Sequence, residues 1–452
     1  MSKIVILVCA FIFTIGIFDG SCKAANMRDA NSIADVKAGK LTTANAAWWG
    51  FNEADATEAL QGAIYSGAKE VVVPYMAKPW VIRAVAFKSN QKVFFEPGVE
   101  IIAKEGEFKG KWDCLFTLKD LENVEISGYG AQIKMRKSEY TEQNGYVKSE
   151  WRHGFNVSRC KNVRIAGLTV SSTGGDGIII GAAKYDENPY STDVVIKDVR
   201  CDDNHRQGIS VIGAVNLLIE NCVLENTRGT APSAGLDVEP SNPKQLIVNC
   251  VIRNCISRNN DGTGFIVYMG HSEKKNDMSV LFENCLTEAN KGFGLSVGAL
   301  KDDGSGGEIK FVNCVVRDNV GAGVYVYDKS VDAAKVKFIN CSFKDVALGE
   351  SGASPEAVNP SENKLDAAPI HIYLRRDSFT KKHGGVEFDS CYVHDSKDRP
   401  FLVVSELQGK NYGVSNIKGT FYVSGPSDKY NLGTNNSNVD IKVVPLGANV
   451  PK

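Results

Sequence analysis

Seven times along the middle of the chain, a glycine is followed by an apolar residue, a variable one, and a valine or isoleucine. The phrase reads HGFNV at 153–157, DGIII at 176–180, QGISV at 207–211 and AGLDV at 234–238, then TGFIV at 263–267, FGLSV at 293–297 and AGVYV at 322–326. The glycines Gly154, Gly177, Gly208, Gly235, Gly264, Gly294 and Gly323 are spaced by 23, 31, 27, 29, 30 and 29 residues. A sustained period of this length marks a solenoid. Within each unit lie short β-branched runs, such as VVIKDV, LLIENC and KFVNC, broken by Asn, Asp and Gly. These are strands rather than helices. The pattern predicts an all-β fold, a single-stranded right-handed parallel β-helix with one rung per unit and rungs about 4.8 Å apart.

A second phrase repeats in step: Asn221-Cys222, Asn249-Cys250, Asn284-Cys285, Asn313-Cys314 and Asn340-Cys341. Cysteine recurring at one point of a repeat predicts a column of small buried side chains, free rather than disulfide-bonded. Zinc is not expected, because Cys250 and Cys255 lack a second pair at ligand spacing. Ahead of the repeats, DATEALQGAI (55–64) places Ala56, Ala59, Leu60, Ala63 and Ile64 on one helical face. This helix is expected to cap the open end of the solenoid, which would otherwise present a bare sheet edge. The strand-like runs KEVVVP, PWVIRA, QKVFFEPGVEI and NVEISGYG between 69 and 130 make the first rungs. Beyond about 345 the period blurs into a Gly/Ser/Pro loop (346–363) and irregular last rungs carrying IHIYL, GVEFDS and FLVVSE.

Composition narrows the class. The chain has 452 residues with 43% hydrophobic content, enough for a core and too much for disorder. Its net charge of −1 offers no basic footprint, so nucleic acid is not an expected partner. Lys3 and the apolar run 4–18 read as a secretory signal peptide over residues 1–25, too short for a membrane span. Cys22, in Gly20-Ser21-Cys22, offers an alternative as a lipidation site, although Asp19 stands where a lipobox wants an apolar residue. The mature chain, 26–452, reads as one exported, monomeric β-helix domain, regular over about 70–345.

The segment Asp55 to Ile101, a helix followed by Gly-Ala, VVVP and FFEPGVEI, resembles the opening of pectate-lyase-like right-handed β-helix proteins. The repeats resemble the β-helix region of the same superfamily, and the resemblance covers roughly 45–345. It implies the fold and polysaccharide chemistry but no single reaction, since the superfamily holds lyases, glycoside hydrolases, epimerases and phage tailspikes. The Gly-His-Gly signature of polygalacturonases and the Asp-Pro-His-Asp signature of alginate epimerases are both absent from this sequence.

Alternation along a strand puts positions +1 and +3 after each ladder glycine in the core and +2 and +4 on the outer face. That face carries Asp237 and Glu239 on one rung and Tyr268, Tyr325 and Tyr327 on the rungs above. Tyrosines there suit stacking on sugar rings. Just before the glycines lie Trp151, Arg152 and His153, then Asp176, then His205, Arg206 and Gln207. Asp202, Asp203 and Asn204 in the same stretch also suit turn capping. Arg228, in the long turn NTRGTAPSAG, falls between these rungs.

An arginine binds a carboxylate bidentately, and neutralising a uronate carboxylate makes the neighbouring proton removable. The expected function is therefore β-elimination on uronic-acid-containing poly- or oligosaccharides by a carbon–oxygen lyase or dehydratase. His205, Arg206, Asp176, Asp237 and Tyr268 are its candidate catalytic residues. Arg152, His153, Gln207, Arg228, Glu239, Tyr325 and Tyr327 are its candidate substrate-binding residues. His205 is the expected proton-transfer group and Arg206 the carboxylate anchor. The alternatives are an inverting glycoside hydrolase and a non-catalytic glycan-binding β-helix. The hydrolase would use Asp237 and Glu239, about 6.6 Å apart along the strand. The sequence assigns no cofactor with certainty and leaves calcium open, on the same carboxylates.

Overall fold

A computed structural model describes residues 28–142, 144–181, 187–349, 368–407 and 409–446. The expected signal peptide, Cys22 and most of the loop 346–363 lie outside the described residues. The rest is a parallel solenoid of a 22-stranded and a 12-stranded sheet. The smaller sheet is the glycine ladder. Its register runs Phe155↔Ile178↔Ile209↔Leu236↔Phe265↔Leu295↔Val324, so all seven phrases stack in step. The glycines are needed for close approach. A Cβ on Gly208 would lie 2.5 Å from the carbonyl oxygen of Gly235 on the next rung, and one on Gly264 would lie 2.6 Å from that of Gly294.

A typical rung has a seven-residue strand (Ala214–Glu220), a corner, a three-residue strand (Val223–Glu225), a longer turn and the ladder strand (Ala234–Val238). The Asn-Cys phrase makes the first corner. Asn221, Asn254, Asn284, Asn313 and Asn340 all adopt left-handed φ of 51–56°, which Asn tolerates better than most residues. Their side-chain amides join rung to rung, as in Asn340 Nδ2 to Asn313 Oδ1 at 2.8 Å. The following cysteines point inward and donate to carbonyls of the rung before, as Cys285 Sγ does to Ile252 O at 3.4 Å. All the predicted cysteines are buried and free. One register differs from expectation. Cys250 sits inside a long strand, stacked between Leu217 and Val280, and Cys255 takes the corner position in its place.

The predicted cap forms over Thr57–Ile64, with Ala59, Leu60, Ala63 and Ile64 buried against the first rungs. Gly62, inside this helix, is where the Trp49 ring packs: a Cβ there would meet Trp49 Cδ1 at 2.4 Å. A further helix, Ala30–Lys37, precedes it. Among the described residues no helix is long and apolar enough to cross a membrane. Past 345 the ladder pairing continues, Val324↔Ile370↔Leu402↔Tyr430, with one long step of 46 residues followed by steps of 32 and 28, and the larger sheet shifts register between Phe388 and Cys391. The ladder position there is Pro369, whose carbonyl accepts Val324 N–H at 3.1 Å. Without glycine the phrase is no longer recognisable in the sequence.

Candidate active site

The outer face of the ladder sheet is not solvated. At the +2 positions Ser210, Asp237, Ser296, Tyr325 and His371 are buried, and Asn156, Ile179 and Ile266 are half-buried. Above them lies a groove of about 600 Å³, lined by Arg206, Asp237, Glu239, Tyr268, Phe293, Tyr325, Tyr327, Arg375 and Arg376 among others. At one end Arg206 is enclosed by acids. Its Nη1 lies 3.7 Å from Asp176 Oδ1, its Nη2 3.7 Å from Glu239 Oε2 and its Nε 3.9 Å from Glu150 Oε1. These are ion pairs without hydrogen-bond contact. The Asp176 oxygens, Arg206 Nε and Asp237 Oδ1 are buried and without a hydrogen-bond partner. Such groups cost free energy in a folded chain and concentrate at functional sites.

Electrostatics follows from burial. Asp176 is pushed up to about 6 by desolvation, which outweighs the pull of the Arg206 charge. The Asp237 pKa is raised well above the ordinary carboxylate value, first by burial and then by the Glu239 charge. Asp237 is 2% exposed, and its burial favours the protonated form. Gln207 donates from Nε2 to Asp237 Oδ2 at 3.0 Å and orients it. Arg206 stays charged because Asp176, Asp237, Glu239 and Glu150 outweigh its desolvation. His153 lies beneath, its Nδ1 accepting the Asp176 N–H at 2.9 Å. Burial, then the Arg206 charge, lowers its pKa to about 3, so it is neutral.

Not every sequence candidate reaches this groove. Arg152 is fully buried, donating to the carbonyls of Phe108 and Val147 and lying beside the rings of Tyr140 and Tyr146. Its guanidinium ties down the loop before it. Arg228 is exposed and faces Asp261 at 4.0 Å. His205 lines a neighbouring pocket, where its Nε2 meets Thr230 Oγ1 at 2.9 Å. Burial, then Lys137 and Arg152, lowers its pKa to about 4. His205 and Arg206 sit in the turn before the ladder strand Gln207–Val211, and their side chains line separate pockets. Asp202, Asp203 and Asn204 fill the structural role considered for them: Asn204 is buried and accepts from Thr173 Oγ1 at 2.9 Å.

Sequence reasoning missed Arg375 and Arg376, at the end of the ladder strand Ile370–Leu374. Asp328 Oδ1 accepts both of their backbone N–H groups at 2.7 Å. The Arg375 guanidinium lies over the Tyr327 ring at 4.4 Å. The Arg-Arg pair was visible in HIYLRRD, but the missing glycine hid its place on the ladder. As for calcium, the carboxylates turn onto a guanidinium. Among the described residues no group of three or more His, Cys, Asp or Glu is arranged to hold a metal ion.

A family model described as "Right handed beta helix region" matches residues 98–238 and 189–366. Among curated proteins, the chain is 32% identical over 126 residues to the uncharacterized protein YclG of Bacillus subtilis (strain 168), covering 26% of this chain and 21% of that one. It is 26% identical over 169 residues to the SPbeta prophage-derived uncharacterized protein YorA of the same organism, covering 36% and 28%. The chain thus spans about a fifth to about a quarter of these relatives' length. Among solved structures, the A-module of an Azotobacter vinelandii mannuronan C-5 epimerase superposes with a TM-score of 0.63 at 15% identity, over 89% of this chain and all of that one. A Yersinia enterocolitica family 28 exopolygalacturonase gives 0.56 at 14% identity, over 90% and 79%. A tailspike of an Acinetobacter baumannii bacteriophage, titled a capsular polysaccharide depolymerase, gives 0.51 at 13%, over 87% and 63%. At these identities the likeness is one of fold.

Proposed function

The chain belongs to the right-handed β-helix family, and from that premise we propose that it is a glycan-active enzyme that cleaves an acidic polysaccharide or oligosaccharide in the groove. The observation that carries this is the Asp237 carboxyl: buried, oriented by Gln207 and lining the groove together with Glu239. Breaking a glycosidic C–O bond requires a proton for the leaving oxygen, and burial raises the Asp237 pKa in the direction an acid needs. Tyr268, Tyr327 and Phe293 supply ring faces, and Arg375 and Arg376 supply charge for a sugar carboxylate. Similar folds titled as a mannuronan epimerase and an exopolygalacturonase agree with an acidic glycan.

Hydrolysis fits these groups better than the elimination expected from sequence. Glu239 takes a proton from water as the water attacks the anomeric carbon. Asp237 protonates the departing oxygen as the C–O bond breaks, and the proton then returns between the two carboxyls. Where water attacks directly, the flanking carboxyls lie about 6.5–9.5 Å apart, and two positions along a strand, about 6.6 Å, fall at the near end of that range. Elimination keeps one supporting feature, the Tyr268 hydroxyl close to the groove arginines, but burial and then Glu239 raise its pKa, which weakens it as a base. Incubation with a panel of uronate oligosaccharides tests the reading. New reducing ends without a conjugated double bond mark hydrolysis; ultraviolet absorbance from that bond marks elimination. Neither product from any acidic or neutral glycan overturns the enzyme reading.

A further inference from the structure

Beside the groove, toward the N-terminal rungs, lies a second pocket of about 650 Å³, lined by Lys111, Tyr140, Tyr146, Lys148, Trp151 and His205 among others. The two compartments share a wall. His205 lines the pocket and Arg206 the groove; Thr230 lines the pocket and Ala231 the groove. Glu150 lines the pocket and reaches Arg206 Nε at 3.9 Å. The wall is close-fitted: Gly229, at φ +147°, lies so near His205 that a Cβ would sit 2.1 Å from its Nδ1. Trp151 stacks on Trp112 with ring centres 4.4 Å apart, and Trp112 is 64% exposed. Lys111 Nζ stands 4.3 Å from the Trp151 ring centre. Both Lys111 and Lys148 are exposed, and among the described residues neither forms an ion pair.

An indole platform with two uncompensated ammonium groups matches a sugar that offers an apolar ring face and a carboxylate. We propose that this pocket is a second sugar compartment of the same site, binding an acidic unit of the glycan that also occupies the groove. Bond cleavage at Asp237 then falls within a bound chain rather than at its tip. This deepens the glycan reading and rests on it. The shared wall is what ties the pocket to the groove: a ligand unrelated to the groove would have no need of a border one residue thick.

The test is calorimetric titration of an Asp237→Asn background, which binds without turnover, with oligogalacturonates and oligomannuronates from disaccharide to hexasaccharide. Affinity should rise with length. Adding Trp151→Ala or Lys148→Glu should remove about tenfold of the hexasaccharide affinity and leave the disaccharide within about twofold. The Lys148 effect should shrink with added salt. Lys148 is exposed, so its variant keeps the fold, as circular dichroism would verify. An unchanged length dependence in both variants overturns the second compartment while the groove reading stands, and so does equal loss for disaccharide and hexasaccharide. Failure of every uronate to bind the parent overturns the glycan reading and this inference with it.

Discussion

Gln207 and Asp237, one rung apart on the ladder, are joined by a hydrogen bond of 3.0 Å from Gln207 Nε2 to Asp237 Oδ2. The amide cannot flip, because its Oε1 accepts Ala234 N–H at 2.9 Å. One Asp237 oxygen is thereby occupied. Asp237→Asn keeps the shape and loses the acid. Turnover should fall by about 10²–10⁴-fold with glycan affinity within about threefold of wild type, measured by initial rates and titration. His205→Ala should keep turnover within about tenfold, because its ring lies beyond the wall. An inactive His205→Ala with an active Asp237→Asn would return the chemistry to imidazole-driven elimination.

Arg206 holds the site together more than it holds substrate. Its side chain is 15% exposed and surrounded by Glu150, Asp176 and Glu239. Arg206→Met would strand buried acids, which typically costs about 3–5 kcal/mol. Thermal unfolding should show a large drop in Tm, partly restored by adding Asp176→Asn. A variant as stable as wild type would contradict the structural role.

Lys329 is fully buried, and its ammonium donates to Ser330 O. Burial, against the weak pull of Asp332, lowers its pKa to about 7 from the ordinary 10.5. The unfolded lysine keeps its proton up to about 10.5, while the folded one loses it near 7. Between these values the unfolded state binds more protons, so stability rises with pH across the window. Lys329→Met should flatten Tm against pH between 7 and 9 and raise Tm most at pH 6. An unchanged slope would refute the assignment.

Gly208→Ala isolates the ladder. The added methyl would lie 2.5 Å from Gly235 O and 3.1 Å from Leu224 Cβ. Neither backbone nor core can yield cheaply, so the loss should be about 1–3 kcal/mol in chemical denaturation. The exposed Gly67, with nothing within 4 Å of a built Cβ, carries no such packing clash, although its φ of +94° strains alanine there. Equal losses at the two sites would mean that close approach is not what the ladder glycines provide.

The rungs were legible because each repeats a local constraint: a glycine where carbonyls crowd, an asparagine at a left-handed corner, a cysteine beside it. Cys250 misled because Asn249 belongs to a second asparagine column, with φ of 52° and its Nδ2 on Asn216 Oδ1 at 2.9 Å, inside a long strand, while Cys255 holds the corner. The acids Asp237 and Glu239 were legible from alternation, and Asp176 from its place before a ladder glycine. Which neighbours share a cleft was not. Arg206 and His205 differ by one position, and one position decides the side of the wall. Arg152 looked available because sequence does not show the carbonyls of Phe108 and Val147 closing on it. Arg375 and Arg376 were hidden by Pro369, which fills a glycine's place.

Those two arginines decide whether the groove prefers charge. Arg376 is exposed at the groove edge, and Arg375 is braced over Tyr327 with its Cζ 4.4 Å from the ring centre. Both backbones are fixed by Asp328, so their side chains can change without moving the rung. A contact to a sugar carboxylate exists before and during bond breaking alike, and its loss raises KM and leaves kcat. Arg376→Ala should therefore raise KM for an acidic oligosaccharide by about tenfold or more, with kcat within about threefold. The methyl-esterified oligosaccharide, which has no charge to bind, should show little change. Salt should weaken wild-type binding of the acid form and leave the ester form nearly unaffected. Equal KM increases for acid and ester would mean that Arg376 shapes the groove without reading charge, and a neutral glycan would then replace the uronate as substrate.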